Sequence, residues 1–155
     1  MERKTKIHAE NDTQELTINR EFDLPLELLF KAYKEPEIVE QWMGTKVLKL
    51  ENKNHGSYQF ETTDPQGNKH GFHGTIHEFV PEHKITRTFE MENAPFPPQL
   101  EFLEFEELSD NTSKLSIHMV FRSVKVRDQL LQLPFAQGLN MAHNQLEKVM
   151  IETQN

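Results

Sequence analysis

Near the C-terminus, Phe135, Leu139, Ala142, Leu146 and Val149 follow one another at spacings of 4, 3, 4 and 3. That pattern puts all five on one face of a helix about four turns long. A helix with a single apolar face must bury it against another layer. What precedes it reads mostly as strand, so the partner layer is a sheet. No other feature of the chain narrows the choice of fold as far.

The strand signals are period-two alternations and turn residues. Leu16, Ile18, Arg20 and Phe22 alternate with polar neighbours, which reads as a strand with one buried face. Pro25 and Pro36 suit the first turns of two short helices. The first carries Leu28, Leu29, Ala32 and Tyr33. The second carries Ile38, Val39 and Trp42 and stops at Gly44. Candidate strands follow at 45–52, 57–63, 69–80, 84–91, 100–108 and 114–121. Asp64-Pro65-Gln66-Gly67 is a turn, because Pro presets φ and Gly supplies a positive one. The three prolines in 93–98 exclude a central strand there. Ser123 is placed to cap a helix running to about Leu133, and Pro134 then kinks or restarts it. Strands joined by tight turns imply an antiparallel sheet. The expected fold is α+β: a curved antiparallel sheet of six to seven strands gripping the terminal helix, with two short helices after the first strand. Residues 1–12 show no periodicity and read as a flexible tail, with one domain over 13–153.

Composition bounds the function. The chain has 155 residues, and Leu, Ile, Val and Phe make up roughly a quarter of them, enough for a core. Its net charge of -8 repels nucleic-acid phosphates and anionic lipid. With no Cys, disulfides, thiolate nucleophiles and Cys-based metal sites are excluded. No apolar run approaches the ~20 residues of a membrane helix, and no signal-peptide pattern opens the sequence, so cytoplasm is the expected compartment.

Several segments in this order resemble the SRPBCC (START-like, helix-grip) superfamily, and within it the bacterial stand-alone homologues of the activator of heat-shock-90 ATPase. Residues 20–25 (REFDLP) resemble an R-x-F-x-A-P segment, and 36–44 (PEIVEQWMG) resemble P-E-x-x-x-x-W-W-G. Residues 56–60 (GSYQF) and 74–85 (GTIHEFVPEHKI) resemble G-x-aromatic-x-aromatic and G-x-x-x-E-x-x-P-x-x-K/R-L. Gly138-Leu139 and Leu146 stand where the family has G-W and L in its last helix. Met43 and Leu139 therefore replace two family Trp rings, which would widen or soften a cavity beneath them. The superfamily contains ligand binders, cyclases and a chaperone activator, so the fold does not choose among them.

Among candidate residues, Arg87 alternates in phase with Ile85, Phe89 and Met91. If inward, it either anchors a ligand oxygen or pairs with a glutamate such as Glu61 or Glu104. His143 falls about 80° round the helix from Phe135, at the stripe's edge. It is either a cavity-facing acid, base or donor, or a boundary histidine capped by a carboxylate or by solvent. Trp42, Met43, Tyr58, Phe60, Phe72, Phe89, Phe121, Phe135 and Leu139 are the candidate apolar lining, with plain core as the alternative. Tyr58, if buried, needs a hydrogen-bond partner. His73 and His77, about 13 Å apart along a strand, are too far apart to share an ion, so no metal is expected. No nucleophile elbow, P-loop or dinucleotide motif occurs, and no cofactor is expected. Binding of a small lipophilic, aromatic or polyketide-like molecule ranks first. A cofactor-free cyclase- or hydrolase-like enzyme using Tyr58, Arg87 or His143 ranks second, and chaperone contact third.

Overall fold

The computed structural model of the protein describes residues 4–154. Its strands are β1 (Lys6–His8), β2 (Glu15–Phe22), β3 (Lys46–Leu50), β4 (Gly56–Thr63), β5 (Lys69–Val80), β6 (Lys84–Met91), β7 (Gln99–Ser109) and β8 (Thr112–Val120). Its helices are α1 (Leu26–Lys34), α2 (Pro36–Met43), α3 (Val124–Leu131) and α4 (Phe135–Gln154). The strands form one sheet in the order β1-β2-β8-β7-β6-β5-β4-β3. Every pairing in it is antiparallel.

The alternation read from the sequence is what builds the inner face. Leu16, Ile18, Arg20 and Phe22 of β2 are buried, as are Leu115, Ile117 and Met119 of β8, and their intervening neighbours are not. Register shifts in the β3–β4, β5–β6 and β7–β8 pairings are bulges that add twist and bend the sheet. The turn after β4 forms as its residues dictate. Gly67 takes φ 87° and donates to the Asp64 carbonyl, while the Asp64 carboxylate accepts from the Gln66 and Asn68 amides.

The helices start and stop where local chemistry places them. Pro36 occupies the first turn of α2, and Gly44 ends it in the left-handed region at φ 63°. Ser123 caps α3 by accepting from the Val126 amide at 3.1 Å. Pro134 separates α3 from α4. The α4 backbone lies closest to α2, α1 and α3. Leu146, Val149 and Met150 carry its buried face into the core.

Among the described residues the sheet has eight strands, and the added one falls within the segment read as a tail. Residues 6–8 pair with 17–19 of β2, and the Thr5 side chain is buried. A three-residue strand is too short for its alternation to register in the sequence. What holds it is the free edge of β2, together with a Thr5 amide donating to Asn140 Oδ1 of α4 at 3.1 Å. Residues 1–3 of that segment lie outside the described residues.

Candidate ligand cavity

A cavity of about 340 Å³ lies between the inner face of the sheet and the helices. That is within the range of small-molecule sites. Its helical side is built from Phe135, Leu139 and Ala142 of α4, Val39, Trp42 and Met43 of α2, Tyr33 of α1 and Leu130 of α3. Its sheet side is built from Phe60 of β4, Ile85, Arg87 and Phe89 of β6, Gln99 and Glu101 of β7 and Ile117 and Met119 of β8. Trp42 is fixed by an indole N–H donated to the Ala32 carbonyl at 2.7 Å, which ties α2 to α1.

Among the residues singled out from sequence, Trp42, Met43, Phe60, Phe89, Arg87, Phe135 and Leu139 therefore come together on the cavity wall. Met43 and Leu139, the two positions where the resemblance implies Trp, are among them. Four other residues are elsewhere. Phe72 lies behind the wall, its ring centroid 5.3 Å from that of Phe60 and 5.2 Å from that of Phe89. Phe121 follows the end of β8 and is buried in the core, its amide bound to the Gln14 carbonyl. Tyr58 stands beneath Arg87, whose guanidinium carbon is 5.3 Å from the ring centroid, and its hydroxyl donates to the Thr88 carbonyl at 2.6 Å. Gly74 makes that reach possible, since a Cβ there would lie 1.9 Å from the Thr88 oxygen and 2.8 Å from the Tyr58 ring.

His143 is completely buried but is not part of the cavity wall. One residue beyond Ala142 is a 100° rotation, which turns it from the cavity towards β2. Its Nδ1 is 2.8 Å from Thr5 Oγ1, and its ring meets Phe22 edge-on. Arg20 is beside it, donating to Thr5 Oγ1 at 3.2 Å and 3.8 Å from Glu147. Burial, and then the Arg20 charge, push the His143 pKa down to about 3. It is a neutral structural histidine at physiological pH.

Arg87 does form an internal ion pair, with Glu101 rather than with Glu61 or Glu104. Its Nε is 3.1 Å from Glu101 Oε1, and the two residues are direct cross-strand partners. Glu104 has the opposite parity on β7 from buried Glu101, Leu103 and Phe105, so it is exposed on the outer face. Glu61 pairs with Lys69. The second Glu101 oxygen accepts from Gln99 Nε2 at 2.7 Å. Burial opposes the Arg87 charge, yet its pKa is raised, with the Glu101 carboxylate 3.1 Å away as the charge partner that favours the cation. Burial also raises both phenols, against the pull of Arg87, and leaves them as neutral hydroxyls. Gln99 and Glu101 are not singled out by the sequence reading although the signal is there: both are in phase with Leu103 and Phe105.

Among the described residues no group of three His, Asp or Glu side chains is arranged to hold a metal ion, and no helix is long and apolar enough to cross a membrane.

The same architecture recurs in solved structures. A crystal structure of a protein from Mycobacterium smegmatis matches with a TM-score of 0.83 at 22% identity, covering 94% of this chain and 95% of that one. A solution structure of a protein from Arthrobacter aurescens matches with a TM-score of 0.85 at 17% identity, covering 95% and 91%. A crystal structure of a Chromobacterium violaceum protein matches with a TM-score of 0.75 at 24% identity, covering 88% and 96%. No curated protein matches. The family model described as "Activator of Hsp90 ATPase homolog 1-like protein" matches residues 23–150. With that match spanning most of the chain, this protein belongs to the family of Hsp90 ATPase activator homolog 1-like proteins.

Proposed function

We propose that this protein binds a small lipophilic molecule, aromatic or polyketide-like, in the cavity between the sheet and α4. The observation that carries this reading is the cavity itself: about 340 Å³, walled mainly by apolar and aromatic side chains, with one charge pair set into the wall. Apolar walls supply the affinity and a few fixed polar groups supply orientation. Met43 and Leu139, at the two positions where the resemblance implies Trp, leave room for a ring. The residues assigned to ligand contact are Trp42, Met43, Phe60, Arg87, Phe89, Phe135 and Leu139.

A cofactor-free enzyme is the weaker reading. Tyr58 has its hydroxyl engaged, Arg87 is neutralised by Glu101 and His143 faces another part of the core. The family description raises a chaperone contact as a further reading, which rests on that description alone. A thermal-shift screen of flavonoid-like, polyketide-like and fatty-acid compounds tests the proposal. A ligand present at 100 times its Kd raises stability by about 2.7 kcal/mol. A screen without a single saturable shift would reject the binding reading, and a pull-down against the heat-shock-90 homologue of the host would then be the next measurement.

A further inference from the structure

We infer that the cavity selects its ligand by charge state, accepting a neutral oxygen acceptor such as a ketone and excluding the carboxylate of the same skeleton. This inference rests on the ligand-binding reading above and adds which functional group that ligand carries.

The charged residues in the wall are Arg87 and Glu101, and they are paired at 3.1 Å. The site therefore offers a donor without a net positive charge. Both Glu101 oxygens are occupied, one by Arg87 Nε and the other by Gln99 Nε2. Among the described residues, neither terminal nitrogen of Arg87 nor the Tyr33 hydroxyl has a hydrogen-bond partner. Nor are they sealed inside protein, since the sealed side-chain atoms without partners are Arg20 Nη2 and His143 Nε2. Arg87 and Tyr33 both line the cavity, so among the described residues its wall carries N–H and O–H donors without a partner and no unpaired cation.

A ligand carbonyl can take those donors at little cost, because a neutral oxygen loses only modest hydration on entry. A ligand carboxylate loses far more. The attraction that would offset this loss is already engaged by Glu101, and that carboxylate repels a second one nearby. An apolar tail does not alter this, so fatty acids are rejected for their head group while ring ketones are accepted.

The experiment compares 2-acetylnaphthalene with 2-naphthoic acid, by calorimetry or competition against a dye that occupies the cavity. At pH 7 the ketone is expected to bind at least about tenfold more tightly than the acid. Between pH 7 and pH 5 the acid should gain about tenfold per pH unit as its neutral form appears. The ketone, measured alongside, carries any change due to the protein's own groups. Glu101→Gln uncovers the Arg87 charge and should reverse the preference towards the carboxylate. The pH series on the unaltered protein decides between the outcomes even if that variant does not fold. Equal or tighter binding of the carboxylate at pH 7 overturns the inference and leaves the cavity reading intact. Failure of both probes to bind counts against the cavity reading itself, and the inference falls with it.

Discussion

Arg20 and Arg87 are two guanidiniums on the inner face of one sheet, with different consequences. Arg87 has a full partner in Glu101, whereas Arg20 is held by neutral oxygens and a longer approach to Glu147. Burial accordingly lowers the Arg20 pKa, with Glu147 and Asp23 only partly offsetting it. Removing one member of a buried pair strands the other. Glu101→Met alone and Arg87→Met alone should therefore each cost about 3–5 kcal/mol in urea unfolding, while the double change Arg87→Met with Glu101→Met recovers most of it. A double variant whose loss equals the sum of the two single losses would show that the pair is not coupled. His143 makes a pH prediction. Its folded pKa of about 3 lies below the unfolded value, so the unfolded chain takes up the proton first. Stability is lost as pH falls from about 6.5, at roughly 1.4 kcal/mol per unit, until the folded pKa is reached. His143→Gln should remove that component, on the order of 3 kcal/mol at pH 4. Parallel pH–stability curves for the two proteins would contradict the assignment.

At the scale of elements, α4 performs two tasks with different stretches of one stripe. Phe135, Leu139 and Ala142 face the cavity, while Leu146, Val149 and Met150 are packed into solid core. Leu146 is fully buried, so Leu146→Ala should cost on the order of 2–5 kcal/mol in a denaturant titration. A loss below about 0.5 kcal/mol, the range of surface changes, would place that half of the helix outside the core. The edge strand β1 is attached to the same helix. Thr5 donates its amide to Asn140 and shares its hydroxyl with His143 and Arg20, so β1, β2 and α4 are held at one polar cluster. The two arginines and the histidine thus divide between two places, the cavity wall and the β1–α4 junction.

For the whole molecule, the consequence is a fold whose stability and cavity volume can be varied separately. Leu139 is half-buried on the cavity wall, and Gly138 beside it has open space around it. Leu139→Trp should refill the cavity, weaken a bound ring compound by at least about tenfold and leave the melting temperature unchanged or higher. A variant that melts lower and binds as well as before would mean that position 139 does not face the bound molecule. The comparison reads binding and stability in one sample, so a folding defect is not mistaken for a lost site.

What the sequence determined by itself was the set of elements and their faces. Period-two alternation marks β2 and β8, the 4-3-4-3 stripe marks α4, and Pro36, Gly44, Gly67, Ser123 and Pro134 mark where elements begin, turn and stop. These are local properties, set by backbone sterics and by which side of an element meets water. Motif order was enough to indicate the family as well. Pairing partners and second-layer contacts were decided only by the tertiary structure. The β6–β7 register chose Glu101 for Arg87, and one residue of helical rotation turned His143 away from the cavity. The β1 strand exists only because the edge of β2 and the side chains of α4 are there to receive it. Such choices depend on segments far apart in the chain being brought within hydrogen-bond distance, and a one-dimensional pattern contains no distance between them.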